Sequence, residues 1–180
     1  ARFLLLLSGM IWLWMTSMAW ASDERVAQVW EEGTVIQDVE VSPDQRWVGF
    51  IEEDTREVRI LDTWAWDVHD FAPCSGSSPA GLGPMELDGI LTWFVGCADG
   101  AVVWLEESDD GFDISEDAVA VDVDEILLLV VGESDVLVIG DPGDGGNPQV
   151  HHIDPDTLEA DSDSGYPSTL GYSGITDAVA

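Results

Sequence analysis

Trp47-Val48-Gly49-Phe50-Ile51 is a short apolar run that returns twice at one spacing. Leu91-Thr92-Trp93-Phe94-Val95 lies 44 residues on, and Asp135-Val136-Leu137-Val138-Ile139 another 44 beyond. A turn and a second apolar run follow each copy: Val58-Arg59-Ile60-Leu61, Val102-Val103-Trp104-Leu105 and Val150-His151-His152-Ile153. The first two of these are again 44 apart, the last two 48, because the third turn is longer. An acid closes each, at Asp62, Glu106 and Asp154. A third run precedes each pair: Val39-Glu40-Val41, Met85-Glu86-Leu87, and Ile126 to Val131. A fourth and weaker run comes last, at Val68 to Phe71 and at Phe112 to Val123. Short apolar runs bounded by turn signals predict strands. Asp88-Gly89 and Asp99-Gly100 are hairpin dipeptides. Gly and Pro gather between units, at Cys74 to Pro84 and at Asp141 to Pro148.

Four antiparallel strands in about 44 residues make one blade of a β-propeller. Phe50 with Ile51, and Trp93 with Phe94, place apolar groups on both faces of one strand. A strand needs that when its sheet is packed on both sides, as a blade is. The expected fold is all-β: a partial β-propeller of about three four-stranded antiparallel blades with the start of a fourth. The units fall at about 34–78, 79–123 and 124–170, and Gly174 to Ala180 opens the next, at 171–180. Propellers close with four to eight blades. The sequence stops inside an expected strand, so truncation is preferred here over assembly of copies. No run after residue 33 has a helical period; residues 22–33 read as a linker or a short helix over Asp23 to Glu32.

Ser42-Pro43-Asp44-Gln45, Trp47-Val48-Gly49-Phe50 and Val58-Arg59-Ile60-Leu61-Asp62-Thr63 resemble the YVTN-type and WD-like propeller repeats. Those repeats read S-P-D-G, an apolar strand, a polar turn, then V-x-V-I-D-T. The second unit matches through Leu87-Asp88-Gly89 and Val102 to Leu105, without the Ser-Pro, and the third through Ile153-Asp154-Pro155-Asp156-Thr157. Ala118 to Gly132, with Gly140 to Asp144, also looks like the integrin-type FG-GAP repeat, which holds calcium in a D-x-D-x-D-G loop. Asp122 to Leu127 lacks the glycine and the third aspartate of that loop. The first resemblance implies a binding or scaffolding module, since propellers carry many functions on one frame. Alternatives are an exported propeller enzyme, lactonase-like or a quinoprotein, with its site outside this segment, and a calcium-stabilised surface protein of the FG-GAP kind.

Ahead of the blades, Phe3 to Ala21 is almost wholly apolar and ends in the small-x-small pattern Ala19-Trp20-Ala21. That predicts a signal helix over residues 1–21, cleaved there, and a periplasmic or extracellular protein. An uncleaved anchor is the alternative, and the one route to a membrane. In an oxidising compartment Cys74 and Cys97, the only cysteines, are expected to pair. The net charge is -32, from 37 acids against five arginines and no lysine. Such a field repels nucleic acid and anionic membranes and favours cations and basic partners. Other expected partners are the remaining blades, from this chain or another protein. The bias fits a salt-rich habitat better than a dedicated cation site.

Asp141, Asp144 and Asn147 form the oxygen-rich candidate for calcium, in the longest hairpin loop; otherwise no cofactor is expected. His151 and His152 point to opposite faces of one strand and cannot share an ion; His152 with Asp154, and His69 with Asp67 or Asp70, are weaker pairs. Trp64 and Trp66 are expected to pack between blades, with a stacking patch as the alternative. Gly171-Tyr172-Ser173-Gly174 falls one residue short of a nucleophile elbow, and no catalytic residue is assigned.

Overall fold

The computed structural model describes residues 35–53, 56–143 and 145–161, and every regular element among them is a strand. The first sheet is an antiparallel meander of β1 (Ile36–Val41), β2 (Trp47–Glu52), β3 (Val58–Asp62) and β4 (Asp67–Phe71). The second holds β5 (Pro79–Leu87), β6 (Ile90–Cys97), β7 (Ala101–Ser108) and β8 (Gly111–Ile114), with β9 (Val119–Ala120) also on β7. The third holds β10 (Glu125–Val131), β11 (Val136–Asp141), β12 (Gln149–Asp154) and β13 (Glu159–Asp161). Each sheet is one blade. The expected signal segment, the linker or short helix expected at 22–33 and the expected opening strand of a fourth unit lie outside the described residues.

The blades pack face to face through two apolar slabs. Trp47, Ile51, Val58 and Ile60 of blade one meet Leu82, Trp93, Val95 and Leu105 of blade two. Met85, Phe94, Val102 and Trp104 of blade two meet Ile126, Leu129, Val138 and Ile153 of blade three. Phe50, Ile51, Trp93 and Phe94 are all at most 1% exposed, so β2 and β6 are buried on both faces. Each such side chain contributes about 1.5–3 kcal/mol by leaving water. Cys74, between β4 and β5, is disulfide-bonded to Cys97 at the end of β6, 23 residues away. Closing a loop of that size stabilises the fold by about 3 kcal/mol in the chain-entropy account.

Three expectations are corrected. The 44-residue spacing does not hold at every strand. Val48, Trp93 and Val136 occupy equivalent places, paired with Leu61, Leu105 and Ile153. The spacing on this strand is therefore 45 and then 43 (48 to 93 to 136). A shift of one residue reverses the face of every side chain, so Trp47 and Leu91 point toward each other across the first slab. Second, Pro79 to Pro84 does not lie between units but makes up the first six of the nine residues of β5. Its glycines are there for close approach: a Cβ on Gly83 would lie 2.5 Å from Val131 Cγ2 on β10. Its prolines are tolerated because an innermost strand has one unpaired edge. Third, the run Phe112 to Val123 is two strands. β8 pairs with Leu105 to Ser108, and β9 with Ala101 and Val102. Between them Ser115 Oγ accepts the Asp117 N–H at 3.1 Å and turns the chain.

Candidate functional site

β1, β5 and β10 are the innermost strands and neighbour one another. Their C-terminal ends, with the turns that follow, open onto two adjoining clefts of about 340 and 390 Å³. The two share Met85, Glu86 and Glu133. The first cleft adds Leu87, Asp88, Ser134, His152 and the turn Asp154-Pro155-Asp156; the second adds Glu40, Val41, Pro43, Pro84, Val131 and Gly132. Glu40, Glu86, Asp88, Glu133, Asp154 and Asp156 are the acids of this lining, and no lysine or arginine belongs to it.

Local turn chemistry places these groups. Asp88 and Gly89 both take positive φ (50° and 81°) and close a two-residue hairpin between Leu87 and Ile90. That holds Glu86 and Asp88 at the rim. Asp154 Oδ1 accepts the N–H groups of Asp156 (2.9 Å) and Thr157 (3.4 Å) and rigidifies the opposite rim. His152 Nε2 lies 2.9 Å from Asp135 Oδ1, and Ser134 Oγ donates to Asp135 Oδ2 at 2.9 Å. Ser134 first, and then His152, hold the Asp135 carboxyl below the usual carboxylate range. Glu40 is pushed up by its partial burial and then by the charge of Asp38. The site is thus a concave anionic surface with an apolar floor, suited to holding cationic groups.

The residues singled out in the sequence are spread over the molecule. Asp141 ends β11 and its Oδ1 accepts the Gly143 N–H at 2.8 Å. Asn147 sits in the loop before β12, and Asp144 lies outside the described residues, as do Ala19, Ala21 and Gly171 to Gly174. Among the described residues no three His, Cys, Asp or Glu side chains converge as a metal group would require. His151 is buried at 7% exposure, while His152 faces the cleft on Asp135 rather than Asp154. His69 stacks on Phe71 and meets Trp47 edge-on, away from an ion-binding geometry. The tryptophans are a correction. Trp64 and Trp66 sit in the β3–β4 turn, 74% and 44% exposed, not between blades. Asp62 Oδ1 accepts the Trp64 and Ala65 N–H groups at 2.7 and 2.9 Å, and the Arg46 guanidinium lies 4.3 Å from the Trp47 ring and 5.4 Å from Trp64. Burial alone would raise the Asp62 pKa, but hydrogen bonds from Arg46, Ala65 and Trp64 outweigh it and keep the carboxyl low.

The cleft acids Glu86, Asp88 and Glu133 were not candidates in the sequence. Their one signal is position: an acid within two residues of the end of each unit's first strand, at Glu40, Glu86 and Glu133.

Successive four-stranded antiparallel blades with neighbouring inner strands define a β-propeller fold. No family model matches the chain, and no curated protein matches it. Among solved structures it is similar to Kuenenia stuttgartiensis hydrazine synthase, at 15% identity and a TM-score of 0.56, over 69% of this chain and 35% of that one. It is also similar to the dihydro-heme d1 dehydrogenase NirN, at 13% identity and 0.54, over 71% and 27%. The chain spans well under half the length of either, and at these identities the likeness is one of fold.

Proposed function

We propose that this chain is an exported binding or scaffolding module of the YVTN-type or WD-like propeller kind, and that its axial cleft takes a cationic partner such as a basic peptide segment. The observation that carries the reading is the lining itself: carboxylates on three successive blades around an apolar floor, with no arginine or lysine among them. Export rests on the apolar leader and its Ala19-Trp20-Ala21 ending. Burial of a basic side chain's methylenes on Met85, Leu87 and Pro155, with its charge among the acids, suits such a surface.

The test is calorimetric titration with an oligo-arginine peptide at about 0.1 M salt, where exposed charges are screened beyond roughly 10 Å. Glu86→Gln with Glu133→Gln is expected to weaken binding about tenfold, at up to about 1 kcal/mol per exposed pair. Asp99→Asn with Asp122→Asn removes the same charge at the other ends of the strands and is expected to change it little. Equal losses from both pairs would mean that only bulk charge attracts the peptide, and the cleft reading would fail.

A further inference from the structure

The end of the molecule that opens the two clefts also carries an uncovered indole. Asp62 and Asp154 end β3 and β12, and each accepts the N–H groups of the residues two and three further on. The turns that follow them are equivalent and stand at the same end of their blades. In blade three this turn brings Pro155 and Asp156 to the first cleft. In blade one the place of Asp156 is taken by Trp64, 74% exposed. The β1–β2 turn of blade one links this indole to the second cleft. Pro43 lines that cleft, and Arg46 stands three residues further along the turn. Asp44 Oδ1 accepts the Arg46 N–H at 3.1 Å, the Ser42 carbonyl accepts the Gln45 N–H at 2.9 Å, and Ser42 Oγ accepts the Trp47 N–H at 2.9 Å. The turn is therefore fixed, and three residues of chain span at most about 11 Å.

Arg46 is the support on which Trp64 lies. Its guanidinium carbon is 4.3 Å from the centre of the Trp47 ring and 5.4 Å from that of Trp64. Trp47 is buried and meets Phe112 of blade two edge-on at 4.9 Å. The stack thus runs outward from the first slab, through Arg46, to Trp64. Asp62 holds the guanidinium at 2.8 Å, and Glu107 of blade two lies 3.7 Å from it. Glu107 places Arg46, and the ring on it, beside blade two rather than on the outer flank of blade one. The far face of the Trp64 ring is open to water. An indole face attracts cations through its quadrupole. A cation beneath the ring opposes that attraction, but here two carboxylates offset the charge of Arg46. The surroundings are acidic: Asp44 stands in the adjoining turn, and Asp109 and Asp110 turn β7 into β8 just beyond Glu107. Among the described residues Arg46 is the only arginine at this end, since Arg56 and Arg59 stand in and beside the β2–β3 turn at the other.

We propose that Trp64 is a specificity-determining contact for the partner of the cleft: its open face takes the guanidinium of an arginine while another basic side chain of the same peptide lies in the second cleft. The inference rests on the cationic reading of the cleft given above and adds to it a preference for arginine over lysine. The molecule already shows the geometry. Arg46 lies over the Trp47 ring and still gives its N–H groups to Asp62. A guanidinium can stack on an aromatic face and bond carboxylates at its edge together, whereas an ammonium is compact and more strongly hydrated and gains less from the same face. Trp64 belongs to the lining of neither cleft, so its contribution and that of the cleft acids can be tested apart.

The experiment is calorimetric titration of the full chain, and of Trp64→Ala, with oligo-arginine and oligo-lysine peptides of equal length at about 0.1 M salt. Stacking on an exposed ring corresponds to a change of about two- to fivefold in affinity. The wild type is expected to hold the arginine peptide tighter than the lysine peptide by at least that factor. Trp64→Ala is expected to weaken the arginine peptide by the same factor and to leave the lysine peptide as it was. The lysine peptide thus also reports that the variant is folded. Carboxylates of the cleft favour arginine too, through paired hydrogen bonds, so a preference undiminished in Trp64→Ala would overturn the proposal. Equal affinities in the wild type, or an equal loss of both peptides in the variant, would overturn it as well. Failure of the cleft reading looks different. Neither peptide then binds the wild type, or Glu86→Gln with Glu133→Gln leaves both affinities unchanged, and the role of Trp64 falls with it.

Discussion

Asp38 carries a carboxylate into the seam between β1 and β5, where its Oδ2 accepts the Leu82 N–H at 3.0 Å. Burial raises its pKa, and the hydrogen bonds from Leu82 and Val39 offset only part of that rise. A group with a higher pKa in the folded than in the unfolded state binds more protons when folded. Its contribution to stability is present below the unfolded pKa and is lost as pH rises through the folded one. Glu40 acts in the same sense, while Asp62 and Asp135, held low, stabilise the fold above their unfolded pKa and lose that contribution on acidification. Asp38→Asn keeps an oxygen for the Leu82 N–H and removes the desolvated charge. The variant is expected to melt above the wild type at pH of about 7, with the gain gone at pH of about 3, where the wild-type carboxyl is itself neutral. Thermal melts across that range measure it, and a variant less stable at neutral pH would show that the charge itself is needed. Nothing in the sequence marks Asp38, because its partner lies 44 residues away.

At the scale of the strand, Gly49 is fixed by what faces it. A Cβ there would meet Trp93 Cζ3 at 2.5 Å and Leu82 Cδ1 at 2.6 Å, both fully buried in the first slab, so neither ring nor methyl can retreat without opening a gap. Gly49→Ala is expected to cost about 1–3 kcal/mol, the usual range for overpacking, read as a lower midpoint in urea with an unchanged slope. An alanine variant as stable as the wild type would mean that the slab is loose. The strands themselves were legible, because each apolar run is short and bounded by turn residues, and the Asp88-Gly89 and Asp99-Gly100 hairpins stand where those dipeptides predict. What failed was the alignment of the first apolar run, where Val48, Trp93 and Val136 are equivalent; the second run keeps its spacing at Leu61, Leu105 and Ile153. Turns of different length absorb one residue in blade two, and a constant spacing cannot register that. The prolines and glycines of β5 failed for a related reason. They read as loop chemistry until β10 is in place beside them.

Over the whole molecule, charge is the property least explained by contacts. Against 37 acids stand five arginines. Arg46 is shared between Asp62 at 2.8 Å and Glu107 at 3.7 Å, and Arg59 between Glu52 at 2.6 Å and Asp70 at 2.5 Å. The same surplus hid the candidate cleft in the sequence, since acids occur in most loops and only the convergence of three inner strands selects Glu40, Glu86 and Glu133. Carboxylates without a cation repel one another in the folded state more than in the expanded unfolded chain, and salt screens that repulsion. Sodium and potassium chloride are therefore expected to raise the melting temperature alike between about 0.1 and 1 M. Scanning calorimetry in both salts checks this, with calcium and magnesium at about 5 mM compared at matched ionic strength. General screening predicts equal effects within each pair of cations. A rise that calcium alone produces would instead place a specific site in the acidic loops, with the segment from Asp141 to Asn147 the first to substitute.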